Sequence, residues 1–228
     1  MPNNASIGKP TLHFNILLRN KINGECLTAL QDTAISNESA DWLVFIGVNL
    51  LFKAKRDIDL FLFGAGEAAA TMILVPNYRA ATKIKNVTVF DHFGRSGLVL
   101  VKKLQWAALL KANLVITATN SDMRMLDAEE IELNAVTVSL EEDGLPTAYF
   151  DRLVATKGLI ICDDVHTIES SNVNSLGLYY SKDYLKLTIH GRCYGIKSYA
   201  DAVADQALIR QLQKWTGHAH LSLLAVAA

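Results

Sequence analysis

Gly64, Ala65 and Gly66 follow an apolar run of strand length, Ile58 to Phe63, and open directly onto helix formers. A strand, a glycine turn and a helix in that order suit one task, holding a pyrophosphate without a side chain in the way. Gly64 permits the tight turn, and Gly66 lets the backbone approach the phosphates. The helix N-terminus then supplies amide donors and a favourable dipole. Ala69 stands where close helix–strand packing demands a small residue. Asp91 ends the next strand-like run, Asn86 to Phe90, where a carboxylate would accept hydrogen bonds from ribose hydroxyls and repel a 2′-phosphate. The residues therefore point to NAD as cofactor; Arg95 nearby keeps NADP open.

A second group follows the run Leu114 to Ala118. Thr117, Ala118 and Thr119 are small, the two threonines hydroxylated, and could approach a cofactor at the end of a strand or cap the next helix. His166 lies after Leu159 to Cys162 and is a candidate proton donor there, against a plain polar loop. Glu169, Ser170 and Ser171 are expected beside it. Lys182, Arg192 and Lys197 are candidate substrate cations. His218 and His220 have no nearby Cys or carboxylate, so they read as surface residues and no metal site is expected. Cys162, within an apolar strand, reads as inert core.

The elements that would position these groups alternate. Apolar strands at 58–63, 86–90, 114–118, 135–140 and 159–162 are separated by helical stretches, including Ser96 to Leu110 and a short helix at Asp127 to Ile131. Runs apolar throughout indicate a parallel sheet covered on both faces. The fold class is α/β, a Rossmann-type doubly wound parallel sheet with a reduced second region for substrate and dimerisation. The expected boundaries are 57–164 for the dinucleotide-binding domain, with 1–56 and 165–228 forming the second region. Upstream, two short strands with a two-residue turn at Asn23-Gly24 precede a helix from about Ser36 to Arg56, apolar nearly all round and expected to be buried. Downstream, Ala200 to Trp215 has helical periodicity, and the apolar tail His220 to Ala228 would need a partner surface.

Composition excludes several classes. Hydrophobic residues make up 50% and charged residues 20%, so a packed core is expected rather than disorder. A net charge of −1 gives no footprint for nucleic acid. Three widely spaced cysteines without a CxxC pair suit a reducing compartment. The N-terminus lacks a signal-peptide pattern, and the longest apolar run, Trp42 to Phe52, is about half a membrane span. A soluble, cytoplasmic protein acting on a small molecule is expected, with neither nucleic acid nor membrane as partner.

From Gly24 to Asp164 the chain resembles the ornithine cyclodeaminase/mu-crystallin family. GECLTALQDTAIS is similar to the family's "GxPLALLDATAIT", FLFGAGEAA to "GIIGAGxQA", and LVITATNS to "IVVTATxS". Asp143, Asp151 and Asp163-Asp164 are similar in spacing to "ADxPGKxELD…DD". The resemblance implies an NAD(P)(H) enzyme of imine or amino-acid redox chemistry. It implies that Gly64, Gly66, Glu67 and Ala68 hold the phosphates, Asp91 the ribose, and Thr117 to Thr119 the inner half of the cofactor. It would put Asp143 near the substrate, where a carboxylate could bind an ammonium or pass a proton to an imine nitrogen. Read alone, Glu141-Glu142-Asp143-Gly144 is an acidic turn.

The departures are specific. The family's Arg in "AITxLRTAA" falls at Ser39, removing a carboxylate-binding cation, and Gly144-Leu145-Pro146 replaces "PGK". The resemblance takes up the family's substrate domain only midway. Two functions follow as expectations. The first is an NAD(H)-dependent oxidoreductase acting on a C=N or C–N substrate in a specialised biosynthetic pathway. The alternative is a non-catalytic or partner-dependent dinucleotide-binding protein that has lost the amino-acid pocket. The family's habit of pairing, with the apolar helix and tail, gives a homodimer as the expected assembly.

Overall fold

The computed structural model describes residues 15–31, 33–52, 57–65, 84–90, 107–118, 126–132, 134–140, 144–213 and 222–225. An antiparallel hairpin comes first, β1 (Asn15–Arg19) with β2 (Cys26–Gln31). Its loop is longer than the two-residue turn expected at Asn23-Gly24. Asn20 donates its N–H to the Glu25 carbonyl at 2.8 Å, and Gly24 donates to the Asn20 carbonyl at 2.9 Å. The side chains of Asn20 and Asn23 accept from the backbone N–H groups of Ile22 and Glu25, and these bonds stabilise the wider loop. Helix α1 (Thr33–Leu51) follows, starting three residues before the expected Ser36. It buries Val44, Val48 and Leu51, yet leaves Trp42 and Ile46 each 37% exposed, so it is buried on one face rather than all round.

The main sheet is parallel and seven-stranded, in the order β4-β3-β5-β6-β9-β7-β8. Its strands are β3 (Ile58–Phe63), β4 (Ile84–Phe90), β5 (Leu114–Thr117), β6 (Val136–Ser139), β7 (Leu159–Cys162), β8 (Lys197–Ser198) and β9 (Ser222–Ala225). Alternation along β3 divides the core. Ile58, Leu60 and Leu62 face α1 with Leu114, Ile116, Val136, Val138 and Ile161. Phe61 and Phe63 face the other side with Val115, Ile160 and Cys162. Asn113 joins β3 to β5 before the ladder begins: its side chain accepts from the Asp59 N–H and donates to the Asp57 carbonyl.

The second face is covered by α2 (Thr147–Ala155), α3 (Val165–Ser171) and α4 (Ser175–Ser181), followed by a π-helical turn, Leu187–Gly191. A Cβ on Gly177 of α4 would stand 2.9 Å from the Ile168 carbonyl, so only glycine allows α3 and α4 this close. The expected short helix after Asp127 is a 3₁₀ turn, Ala128–Glu130, closed by a reciprocal Asp127/Glu130 capping box. Arg152 of α2 donates to the carbonyls of Ala128 and Ile131, tying that turn to the helix.

Two expectations for the C-terminal third are corrected. The helix expected over 200–215 is two helices, α5 (Tyr199–Ala204) and α6 (Gln206–Gln213). Asp205 divides them because its carboxylate accepts from the N–H groups of Ala207 and Leu208 and so caps a new helix. The apolar tail does not wait for a partner surface. Residues 222–225 form β9, which pairs with β6 on one side and β7 on the other. The sheet therefore runs past the expected boundary at residue 164, since β8 and β9 both lie beyond it. Among the described residues no helix is long and apolar enough to cross a membrane.

Tyr149 of α2 has no exposed surface, and burial holds its phenol above the ordinary tyrosine range. A folded-state value raised above the unfolded one gives stability that is complete below about pH 10 and is lost as pH rises towards the folded value. Denaturant midpoints taken between about pH 8 and pH 11 should therefore fall less steeply for Tyr149→Phe than for the parent, the two curves parting near pH 10. Parallel curves would show that this phenol does not govern alkaline stability.

Candidate functional site

From β3 the chain passes to β4 on one side of it and then to β5 on the other. The carboxyl end of β3 is thus a topological switch point, where flanking connections diverge and leave a crevice. Gly64 is the first residue beyond that end. Its φ is +97°, a conformation open to glycine and strained for other residues, and it donates its N–H to the Phe90 carbonyl at 2.8 Å. The turn is thereby fixed to the end of β4, and Ala65 beyond it is exposed.

The same arrangement repeats along the sheet. Ala118 donates to the Phe63 carbonyl at 2.9 Å, and Leu140 to the Thr117 carbonyl at 3.0 Å. Each strand end holds the residue that follows its neighbour, so the crevice floor is a staircase of committed backbone groups. The register sets Phe63 beside Thr117, and Thr117 beside Ser139. Thr117 and Ser139 are each 1% exposed. The Thr117 hydroxyl lies 3.4 Å from the Val138 carbonyl, a long hydrogen bond, so its side chain braces β6 rather than reaching outward. The Ser139 hydroxyl is buried and has no hydrogen-bond partner among the described residues. The Ser139 hydroxyl, two strands from the Gly64 turn and without a partner among the described residues, fits a molecule that spans phosphate and a polar ring.

Gly64, Ala65, Thr117 and Ala118 therefore meet at the switch point. Gly66, Glu67, Ala68, Asp91, Thr119 and Asp143 lie outside the described residues, as do Ala69, His92, Arg95, His218, His220 and most of the helix expected over 96–110. His166 is exposed in the first turn of α3, after β7. Because β9 separates β6 from β7, the end of β7 is three strand spacings from β5, about 14 Å. This sets His166 one strand further from the crevice than the order of strands in the sequence suggests.

The polar residues around His166 have structural partners. Asp164 accepts from the Thr167 N–H at 2.7 Å and from its hydroxyl at 2.9 Å, capping α3, and these bonds lower its carboxyl below the usual range. Glu169 accepts from the N–H and hydroxyl of Thr188, fixing the π-helical turn, and its carboxyl is lowered by the same contacts. The hydroxyls of Ser170 and Ser171 bond back to carbonyls of their own helix. Cys162 behaves as core, its thiol pushed up to about 12 by burial.

The candidate cations lie elsewhere. Lys197 pairs with Asp205 at 2.9 Å. With Arg192, Gly195, Ile196 and Asp201 these two line an open cleft of about 470 Å³ at the β8 edge, the far end of the sheet from β3. Lys182 is exposed just beyond α4. Ser39, in place of the family's arginine, is exposed on α1. Sequence reasoning passed over Ser139, and only the register, which puts it beside Thr117, could have singled it out.

No protein-family model matches this sequence, and comparison with curated proteins gives no match. Comparison with solved structures gives a consistent fold. A probable ornithine cyclodeaminase from Bordetella pertussis Tohama I superposes with a TM-score of 0.66 at 16% identity, over 95% of this chain and 68% of that one. The Δ1-pyrroline-2-carboxylate reductase of Thermococcus litoralis, solved with NADH and L-proline, gives 0.66 at 17% identity, over 100% and 70%. An archaeal alanine dehydrogenase dimer with bound NAD gives 0.63 at 16% identity, over 99% and 69%. The chain has the fold of these Rossmann-type enzymes, in agreement with the resemblance seen in its motifs.

Proposed function

We propose that the protein is an NAD(H)-dependent oxidoreductase acting on a small imine or amine. The observation that carries this reading is Gly64, held at positive φ by the end of β4 at the switch point, with Ala118 and the β5 end directly beside it. The solved structures that share the fold include proteins with NADH and NAD bound, and a reductase of a cyclic imine. A bound dinucleotide would supply or take up the hydride.

The chain's own residues would do the rest. The backbone at Gly64, Ala65 and Gly66, with Glu67 and Ala68 at the start of the next helix, would hold the phosphates. Asp91 would accept from the ribose hydroxyls. Thr117, Ala118 and Thr119 would line the inner half, with Thr117 acting as a brace. Asp143, three residues past the Leu140 backbone step, would hold the substrate nitrogen or carry its proton. His166 is the second candidate for that proton, after β7 and three strand spacings from β5 because of the inserted β9. Exposed apolar residues of the hairpin, among them Leu17 at 53% and Leu27 at 63%, provide a surface on which two copies could pair as a homodimer.

The test is turnover of Δ1-pyrroline-2-carboxylate with either dinucleotide, read as loss of reduced-nicotinamide fluorescence. NADH should be consumed at least about tenfold faster than NADPH at limiting concentration, because a 2′-phosphate would meet the Asp91 carboxylate. Equal use of both would remove Asp91 from the ribose position. Tight NADH binding without turnover of any imine would favour the non-catalytic alternative. Failure to bind either dinucleotide would refute both readings.

A further inference from the structure

We propose that the Ser139 hydroxyl anchors the carboxamide of the nicotinamide ring. This rests on the reading above that a dinucleotide occupies the crevice, and it assigns a contact to the half of that molecule which reacts.

The topology sets the direction in which the molecule lies. With the pyrophosphate at Gly64 and the adenosine over β4, whose following residue is Asp91, the nicotinamide half must extend over β5 and β6. The end of β6 lies two strand spacings from β3, roughly 10 Å. Near that end, the N–H groups of Ala118 and Leu140 are committed to Phe63 and Thr117, and the Thr117 hydroxyl is turned to Val138. Ser139, the last residue of β6, is 1% exposed, with its hydroxyl unpaired among the described residues.

An unpaired buried hydroxyl is destabilising, and native structures rarely keep one without a bound molecule to satisfy it. Thr137, on the same side of β6, lies one residue pair deeper, with its hydroxyl beside the Tyr149 phenol and away from the strand end. Depth therefore separates the two hydroxyls, and Ser139 is the one at the strand end.

The chemistry matches. A carboxamide presents one acceptor and one NH₂ donor group, and a serine hydroxyl can both donate and accept. The hydroxyl is also uncharged. A carboxylate in this place would favour the cationic oxidised ring over the neutral reduced one, whereas serine holds the ring without that electrostatic bias.

The experiment compares NADH with ADP-ribose, which carries the adenosine and pyrophosphate but no nicotinamide. Both are titrated calorimetrically into the parent and Ser139→Ala. The variant should bind NADH about three- to tenfold more weakly and ADP-ribose as the parent does, which also shows that it has folded. Equal weakening of both ligands, or of neither, would overturn the proposal while leaving the cofactor reading intact. A parent that binds neither ligand would overturn the cofactor reading, and the proposal with it.

Discussion

A chain that stops at residue 221 is expected not to fold. Residues 222–225 form β9, whose backbone pairs with β6 from Val136 to Ser139 and with β7 from Leu159 to Cys162. Removing it parts β6 from β7 by a missing strand and leaves two rows of backbone groups facing a gap inside the core. Buried backbone groups without partners cost free energy comparable to lost hydrogen bonds, several times over here, against a total stability of only about 5–15 kcal/mol. Leu223→Pro should act in the same direction, because successive N–H groups of a central strand serve one neighbour or the other and proline has none to give. The check is circular dichroism with a thermal scan. Both variants should lack a cooperative transition, and a truncated chain melting within a few degrees of the parent would show that β9 does not hold the sheet together.

The second large effect concerns Gly64→Val. At φ +97° a β-branched residue is strained by about 1–3 kcal/mol, and relief of that strain must turn the peptide away from the Phe90 carbonyl. The displaced backbone is the part expected to contact phosphate. NADH affinity should therefore fall by about thirty- to hundredfold, which corresponds to roughly 2–3 kcal/mol. The melting temperature should drop by several degrees without loss of the fold. Gly24→Ala is the matched control. Gly24 also has positive φ, +74°, but nothing lies within 4 Å of the added Cβ and it sits in the loop of the separate two-stranded sheet. It should lower stability modestly and leave NADH binding unchanged. Parent-like binding by Gly64→Val would make the turn structural only.

Much of the sheet was legible locally. The runs at 58–63, 114–118, 135–140 and 159–162 are apolar on both sides, as central parallel strands must be, and each is a strand in the structure with bounds within about a residue. The Gly64 turn was legible for the same reason, a glycine placed where a strand ends. Strand order was not legible, because no local pattern says which strands become neighbours. HLSLLAVAA read as a loose apolar tail, although its middle is a strand at the heart of the sheet. That single insertion also moved His166 away from the crevice. β8 is only two residues long and gave no periodic signal. Asp205 was read as one more polar position on a helix because capping depends on side-chain direction. Ser139 is ordinary within AVTVSL until the register puts it beside Thr117.

The place of β9 also has a kinetic consequence. β9 lies between strands whose sequences end some sixty and eighty residues earlier, so its contacts are long-range on both sides. Until residues 222–225 have left the ribosome, β6 and β7 have no shared neighbour, and each presents an open edge to any strand that offers itself. The sheet is therefore closed only once residues 222–225 are available. In that interval a second copy can donate its own β9 to the gap, giving an interlocked pair.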